Sequence, residues 1–316
     1  MADHSKPHIT LIIPVFNEYE GIPTLVKSLS DFFGANPQLN PEVIFVNDGS
    51  KDGSLQLLRE VKHENYQARV IDLARNFGSH AALRAGIMNA RGEYICFNYA
   101  DLQDPLELIL EMKAGMDAGH DIVWAHREST KVSLGEKVFS RMYARLMKKY
   151  AFKNFPEKGF DILMFNTKVS RELNRNIEAN SSIFLQILGL GFKQMSISYK
   201  KRERKIGVSK WTFSKKVKLF INSFVAFSYA PIRFVTIVGI AMFVMGTLLT
   251  AYLFIRKLVY QDLIVGWTAT ACILLIGFGI TNISLGIIAE YLWRTLDASR
   301  KRPVFIIDEI YEISEQ

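Results

Sequence analysis

YICFNYADLQDP, running from Tyr94 to Pro105, is a short apolar run that stops abruptly at Asp101, Gln103 and Asp104. Apolar residues of strand type that end in acidic groups predict a buried strand, Tyr94 to Tyr99. Such a strand delivers carboxylates to the lip of an open sheet, where α/β folds place their ligands. Asp101 is the first candidate for a metal and phosphate site.

Working outward, the same grammar repeats on both sides of this stretch. Ile9 to Val15 is a β-type run closed by the polar pair Asn17 and Glu18, and apolar residues then return at helical spacing through Ile22, Leu25, Val26, Leu29 and Phe33. Val43 to Val46 ends in Asn47-Asp48-Gly49-Ser50 before a helix from Ser54 to about Glu64, Arg69 to Leu73 precedes a helix over Ser79 to Ala90, and Asp121 to Ala125 follows a helix opening near Pro105. Strands alternating with helices predict an α/β fold whose sheet is mostly parallel, with helices on both faces. Ser133 to Phe152 reads as a basic amphipathic helix that either covers the sheet or lies at a bilayer surface. Phe160 to Asn166 and Gln194 to Tyr199 read as further strands.

The chain has 316 residues, 49% of them hydrophobic, with a net charge of +8. That size holds one large domain plus an appendage, and the charge suits nucleic acid, an anionic membrane surface or a phosphorylated substrate. The basic residues concentrate in KKRERKIGVSKW, Lys200 to Trp211, which precedes a second basic amphipathic segment to Tyr229. Cys96 and Cys272 lie far apart in apolar runs, so neither a disulfide framework nor a zinc site is expected. The first residues, MADHSKPH, lack the apolar core of a secretory signal, which predicts a cytoplasmic N-terminal domain.

Two long apolar stretches follow, Phe234 to Ile255 and about Ile264 to Ala289. Twenty-two residues at about 1.5 Å each reach roughly 33 Å, enough for a hydrocarbon core of about 30 Å. The connection RKLVYQD is too short for a domain, which predicts a two-span hairpin. Basic residues from Lys200 to Arg233, with Arg294, Arg300, Lys301 and Arg302, outnumber Arg256 and Lys257 in the loop and place both termini in the cytoplasm. The expected divisions are 1–199, a catalytic domain; 200–233, a basic loop and juxtamembrane segment; 234–289, the two spans; and 290–316, a cytoplasmic tail.

Ile12-Ile13-Pro14-Val15-Phe16-Asn17-Glu18, Val46-Asn47-Asp48-Gly49-Ser50, Arg75-Asn76-Phe77-Gly78 and Ala100-Asp101-Leu102-Gln103-Asp104-Pro105 are joined by Ser228-Tyr229-Ala230-Pro231-Ile232-Arg233 and Gly286-Ile287-Ile288-Ala289-Glu290-Tyr291-Leu292. As a set they resemble the inverting family 2 glycosyltransferases, and more narrowly the polyprenyl-phosphate glycosyltransferases. The resemblance implies a GT-A, Rossmann-like nucleotide-binding fold in which Pro14, Phe16, Glu18 and Asp48 surround the base and ribose of a nucleotide sugar. Carboxylates on loops after successive strands can accept from an imino group or ribose hydroxyls. Taken alone, Asn47-Asp48-Gly49-Ser50 reads equally as a turn with a helix cap.

By the same resemblance Asp101 and Gln103 give oxygen ligands to Mg²⁺ or Mn²⁺ bridging the donor diphosphate. The family's motif carries an acidic residue where this chain has Tyr99, a group that can bond a ribose hydroxyl without adding charge. Lys158-Gly159-Phe160-Asp161 places Asp161 one residue later than the family's acceptor-site aspartate, which in a strand turns it to the opposite face unless the backbone bulges. Arg202, Arg204, Ser209 and Lys210 resemble the family's phosphate-contacting basic loop, since an arginine fork grips two phosphate oxygens. The lysines around them, Lys200, Lys201, Lys215, Lys216 and Lys218, read equally as an anchor for anionic lipid. Arg127 is a further phosphate candidate, and His80 and His126 read as structural or solvent-exposed.

The resulting expectation is an integral membrane enzyme moving a sugar from a nucleotide donor, UDP-linked, to a polyisoprenyl phosphate in the bilayer. Nucleic acid is not an expected partner, and a homo-oligomer stays open. The rivals are a processive transferase, a transferase with another lipid acceptor, and a nucleotide-binding membrane scaffold without transfer activity, for which Tyr99 speaks most.

Overall fold

The computed structural model describes residues 7–128, 134–152, 155–156, 160–176, 182–202, 230–260, 267–299 and 303–313. They fall into two units, one of Met1–Ser223 with Pro303–Gln316 and the other of Phe224–Arg302.

In the first unit, β1 (Ile9–Val15), β2 (Pro41–Asn47), β3 (Gln67–Leu73), β4 (Tyr94–Phe97), β5 (Ile122–Arg127), β6 (Ile162–Asn166), β7 (Gln194–Tyr199) and β8 (Ile307–Ile313) form one sheet in the order β7-β5-β6-β4-β1-β2-β3-β8. Four of its seven pairings, β1–β2, β1–β4, β2–β3 and β5–β7, are parallel, and β3–β8, β4–β6 and β5–β6 are antiparallel. A mostly parallel α/β sheet is therefore observed as expected. The order reverses at β1, with β2 on one side and β4 on the other, and such a switch point opens a crevice beyond the strands' carboxyl ends.

Helix α1 (Ile22–Gly34) buries Ile22, Leu25, Val26, Leu29 and Phe33, the residues whose spacing predicted it. Each such side chain contributes about 1.5–3 kcal/mol when taken out of water. Helix α2 (Ser54–Glu60) is short, and α3 (Ser79–Asn89) packs so closely on β1 that a methyl group at Gly86 would collide with Ile12. Helices α4 (Leu108–Asp117), α5 (Leu134–Tyr150), α6 (Thr167–Arg175) and α7 (Ile183–Gly189) complete the unit among the described residues.

Two expectations are corrected here. Strand β4 ends at Phe97, because the Asn98 side chain accepts from the Tyr99 amide at 2.7 Å and the Leu102 amide donates back to the Tyr99 carbonyl, which turns the chain before Asp101. The stretch 290–316 is not a tail: a helix runs on to Ser299, and Ile307–Ile313 is the edge strand β8. Its Glu312 lies 3.2 Å from the buried Arg69, which also binds buried Glu42 at 2.9 Å, and 2.6 Å from Arg91. An otherwise open edge of β3 is thereby covered, a role that short polar strands often fill.

The second unit holds α8 (Ala230–Tyr260) and α9 (Trp267–Ser299), of 31 and 33 residues, which touch each other. Counting only described residues, no helix is long and apolar enough to cross a membrane. The spanning hairpin expected from the sequence is thus not established by the fold. Phe234, Ile237, Ile240, Leu248, Phe278 and Ile283 are exposed on these helices.

Candidate active site

Three loops meet beyond the carboxyl ends of β1, β2 and β3. After β1, Asn17 takes a left-handed conformation, its amide donates to Ser50 Oγ at 3.0 Å, and its side-chain oxygen accepts from the Lys51 amide at 2.9 Å. The Glu18 amide donates to Ser54 Oγ at 3.0 Å, which sets the Phe16–Glu18 turn against the start of α2. Pro14 is half-buried within β1, beside Val46 of β2. Pro14, Phe16, Glu18 and Asp48 therefore stand at the adjacent ends of β1 and β2.

Asp48 does more there than face a ligand. It is buried, and its two carboxylate oxygens accept from the Phe77 and Gly78 amides at 2.7 and 2.9 Å. Burial pushes its pKa up, and these two donors act in the opposite direction. The 75–78 loop thus hangs on Asp48. Gly49, at φ +67°, lies so near this loop that a β-carbon would stand 2.5 Å from the Arg75 carbonyl carbon. The turn reading of Asn47-Asp48-Gly49-Ser50 is what this geometry shows, with Asp48 holding the neighbouring loop.

On the other side of the switch point, Asp101, Leu102 and Gln103 are half-buried at the tip of a tight turn in which Leu102 has φ +50°. Asp101 Oδ1 accepts from the Gln103 amide at 3.2 Å. A carboxylate and an amide oxygen suit a hard divalent cation, and such a pair leaves most positions to phosphate oxygens and water, as Mg²⁺ is commonly held. Among the described residues, no cluster of three or more His, Cys, Asp or Glu side chains could hold an ion by itself.

Behind this turn lies a network that local sequence did not reveal. Asp104 is buried and accepts from the Tyr199 hydroxyl and from Lys201 Nζ at 3.0 Å. Lys201 Nζ is also 4.0 Å from Asp161, whose carboxylate accepts from the Arg127 amide at 3.1 Å and pairs with its guanidinium at 3.0 Å. Asp161 lies just before β6 rather than within it, so it reaches this network without the facing penalty that strand alternation predicts. Burial and then the carboxylates of Asp104 and Asp161 push the Tyr99 and Tyr199 hydroxyls far up, so both stay neutral, and Tyr199 donates to Asp104. Arg202 is exposed; its amide donates to the Gln103 carbonyl at 2.9 Å and its guanidinium rests on Glu107 at 3.1 Å.

Among the described residues of the basic stretch, Lys201 is the cation that faces buried carboxylates, and the anchor reading for it is not what the structure shows. Asp104, Tyr199 and Lys201 were missed as a group because about a hundred residues separate the partners; the only signal was the acidic pair Asp101 and Asp104 in a strand-end turn. Ser209, Lys210 and Arg204 lie outside the described residues.

The model of the family described as "Glycosyl transferase family 2" matches residues 10–177. The chain is 33% identical to "Uncharacterized glycosyltransferase YkcC" of Bacillus subtilis, over 97% of this chain and 95% of that one. It is 30% identical to "Bactoprenol glucosyl transferase" of Shigella phage SfV, over 95% of this chain and 97% of that one. A mannosyltransferase of Pyrobaculum calidifontis, solved with GDP-Man and Mn²⁺, is 18% identical with a TM-score of 0.47, over 68% of this chain and 62% of its own. With a family model covering more than half of the chain and full-length relatives at this identity, the protein is a glycosyltransferase and belongs to glycosyl transferase family 2.

Proposed function

We propose that this protein transfers a sugar from a UDP-linked donor to a polyisoprenyl phosphate at a membrane, with inversion at the anomeric carbon. The observation that carries the reading is the Asp101–Gln103 turn after β4, beside the switch point at β1, with Asp104 of the same turn paired to Lys201 and with the Asp48 crevice at the end of β2. Similarity along nearly the whole length to a bactoprenol glucosyl transferase supports the acceptor class.

In this reading the base and ribose sit among Pro14, Phe16, Glu18 and the loop held by Asp48, while the diphosphate lies over the Asp101 turn. Mg²⁺ or Mn²⁺, held by Asp101 and Gln103, would neutralise charge on the departing diphosphate. An oxygen of the lipid phosphate attacks the anomeric carbon as the bond to the donor diphosphate breaks, and the nucleoside diphosphate leaves. A phosphate monoester has a second pKa near 6, so the acceptor is largely dianionic at neutral pH and needs no strong base. That agrees with Asp161, whose oxygens hold the Arg127 amide and guanidinium. Asp161 positions a cation, and Lys201, Arg127 and Arg202 orient phosphate groups.

The helices α8 and α9 serve as the membrane anchor. The support for this is the sequence, in which Phe234 to Ile255 is an apolar run without a charge, together with the exposed apolar side chains on both helices, which suit lipid. The return of β8 to the same sheet as β1–β7 supports an even number of crossings in this reading. The charge asymmetry then puts both ends in the cytoplasm.

Full-length protein in detergent, incubated with UDP-glucose, Mn²⁺ and undecaprenyl phosphate, should form a glycosylated lipid phosphate and release UDP. A panel of other nucleotide sugars identifies the donor. Nucleotide binding with no transfer from any donor to any polyisoprenyl phosphate would overturn the acceptor assignment.

A further inference from the structure

Strand β8 ends its pairing with β3 beside the nucleotide crevice, at the opposite end from Glu312. Glu309 pairs with Asp72 and Ile307 with Leu73, with Asp308 bulged between them, and the Ala74 amide donates to the Ile306 carbonyl at 3.0 Å. Ala74 is the root of the 75–78 loop, whose Phe77 and Gly78 amides are held by Asp48. A second route runs through Asp72. It accepts from Asn47 Nδ2 at 2.7 Å, and the Asn47 side chain receives the Ser50 amide at 3.4 Å, next to the bond from Asn17 to Ser50. Burial pushes the Asp72 carboxyl up, and Asp308 and Glu309 of β8 push it further, so the charge of β8 is felt within this pair.

We propose that β8 is a positioning element of the nucleotide pocket, acting through the Ile306 carbonyl and the Asp72–Asn47 pair rather than touching the ligand. This rests on the nucleotide-sugar reading of the Asp48 crevice. The 75–78 loop has one anchor at each end: Asp48 holds its amides and Ile306 holds its root. A nucleotide that orders the loop from the Asp48 side therefore favours the docked state of β8, and by thermodynamic reciprocity a docked β8 favours nucleotide binding by the same factor. Only residues 300–302 separate α9 from the segment that carries Ile306, so the second apolar helix is covalently tied to a strap on the donor site.

Hydrogen exchange of the full-length protein in detergent, with and without UDP and Mn²⁺, tests this. The expected result is that the nucleotide slows exchange of 307–313 about fivefold or more together with 74–78, while β5 and β7 on the far edge stay unchanged. The variant Tyr311→Ala removes the ring over which Arg59 sits at 4.0 Å and loosens β8 without entering the pocket. It should raise the Kd for UDP and the KM for the UDP-sugar severalfold while kcat and the KM for lipid phosphate hold, a selectivity that general destabilisation does not produce. If UDP protects 74–78 but not 307–313, or Tyr311→Ala binds UDP as the parent does, the coupling is overturned and the nucleotide reading stands. If UDP with Mn²⁺ does not bind at all, the nucleotide reading falls and this inference with it.

Discussion

Lys201 and Arg202 are adjacent cations, and the structure predicts opposite consequences for their loss. Asp104, bonded to Lys201 at 3.0 Å, has a fully buried side chain, and Lys201 is 22% exposed. Removing one partner of a buried ion pair leaves an uncompensated charge and costs about 3–5 kcal/mol. Here the Tyr199 hydroxyl still donates to Asp104 and the lysine is partly wet, so Lys201→Gln should fall below that range, at about 2–3 kcal/mol. For a unit of this size each kcal/mol moves Tm by about 2–4 °C, which gives a drop of about 4–12 °C. Arg202 and Glu107 are 56% and 62% exposed, and a pair of that kind contributes at most about 1 kcal/mol, so Arg202→Gln should shift Tm by no more than about 4 °C. Both variants should lose transfer, by roughly ten- to a hundredfold for one charge-assisted phosphate contact. Scanning fluorimetry of the full-length variants in detergent, beside initial rates, separates the two effects. Adding Asp104→Asn to Lys201→Gln should restore part of the lost stability, because no orphaned carboxylate remains. An unchanged Tm for Lys201→Gln would refute the reasoning, and a double variant worse than the sum of its parts would show that burial of charge is not the cause.

His80 is held near a pKa of about 4 by burial, below its usual 6.5, and its Nδ1 has no hydrogen-bond partner among the described residues. The unfolded chain binds the proton more readily, so this contribution is complete above about pH 6.5 and is lost as pH falls toward 4, by up to about 3 kcal/mol. Unfolding measured from pH 7.5 to 4.5 should show that slope flattened in His80→Gln; an equally steep slope would exclude His80 as its source. Asp101→Ala should abolish metal-dependent transfer with little change in Tm, since the side chain stands at a loop tip, and near-normal rates at saturating Mn²⁺ would sink the metal assignment. A reporter after Gln316 and an accessibility tag at Asp3 should both report cytoplasm, and external exposure of either would refute the hairpin.

Sequence alone determined the elements whose signal is local. The apolar β-type run Ile9–Val15, buried on both faces, the helical spacing of Ile22 to Phe33 and the apolar run from Tyr94, read to Tyr99 and observed to Phe97, each carry their cause within a few neighbours, because burial demands apolar residues that the chain writes out locally. Motif resemblance added Asp48, Asp101 and Gln103, which stand after β2 and β4 on either side of β1. Only the tertiary structure decided what crosses long separations. Ile307–Ile313 reads as a tail because an edge strand with one wet face carries Asp308, Glu309 and Glu312, and its partner Gln67–Leu73 lies far upstream. Lys201 looked like one lysine of a polybasic run until the fold set it on Asp104, and Asp161 looked misdirected until β6 began after it. A charged group's role depends on which opposite charge is buried beside it, and in this chain those partners are brought together by the closing of the sheet.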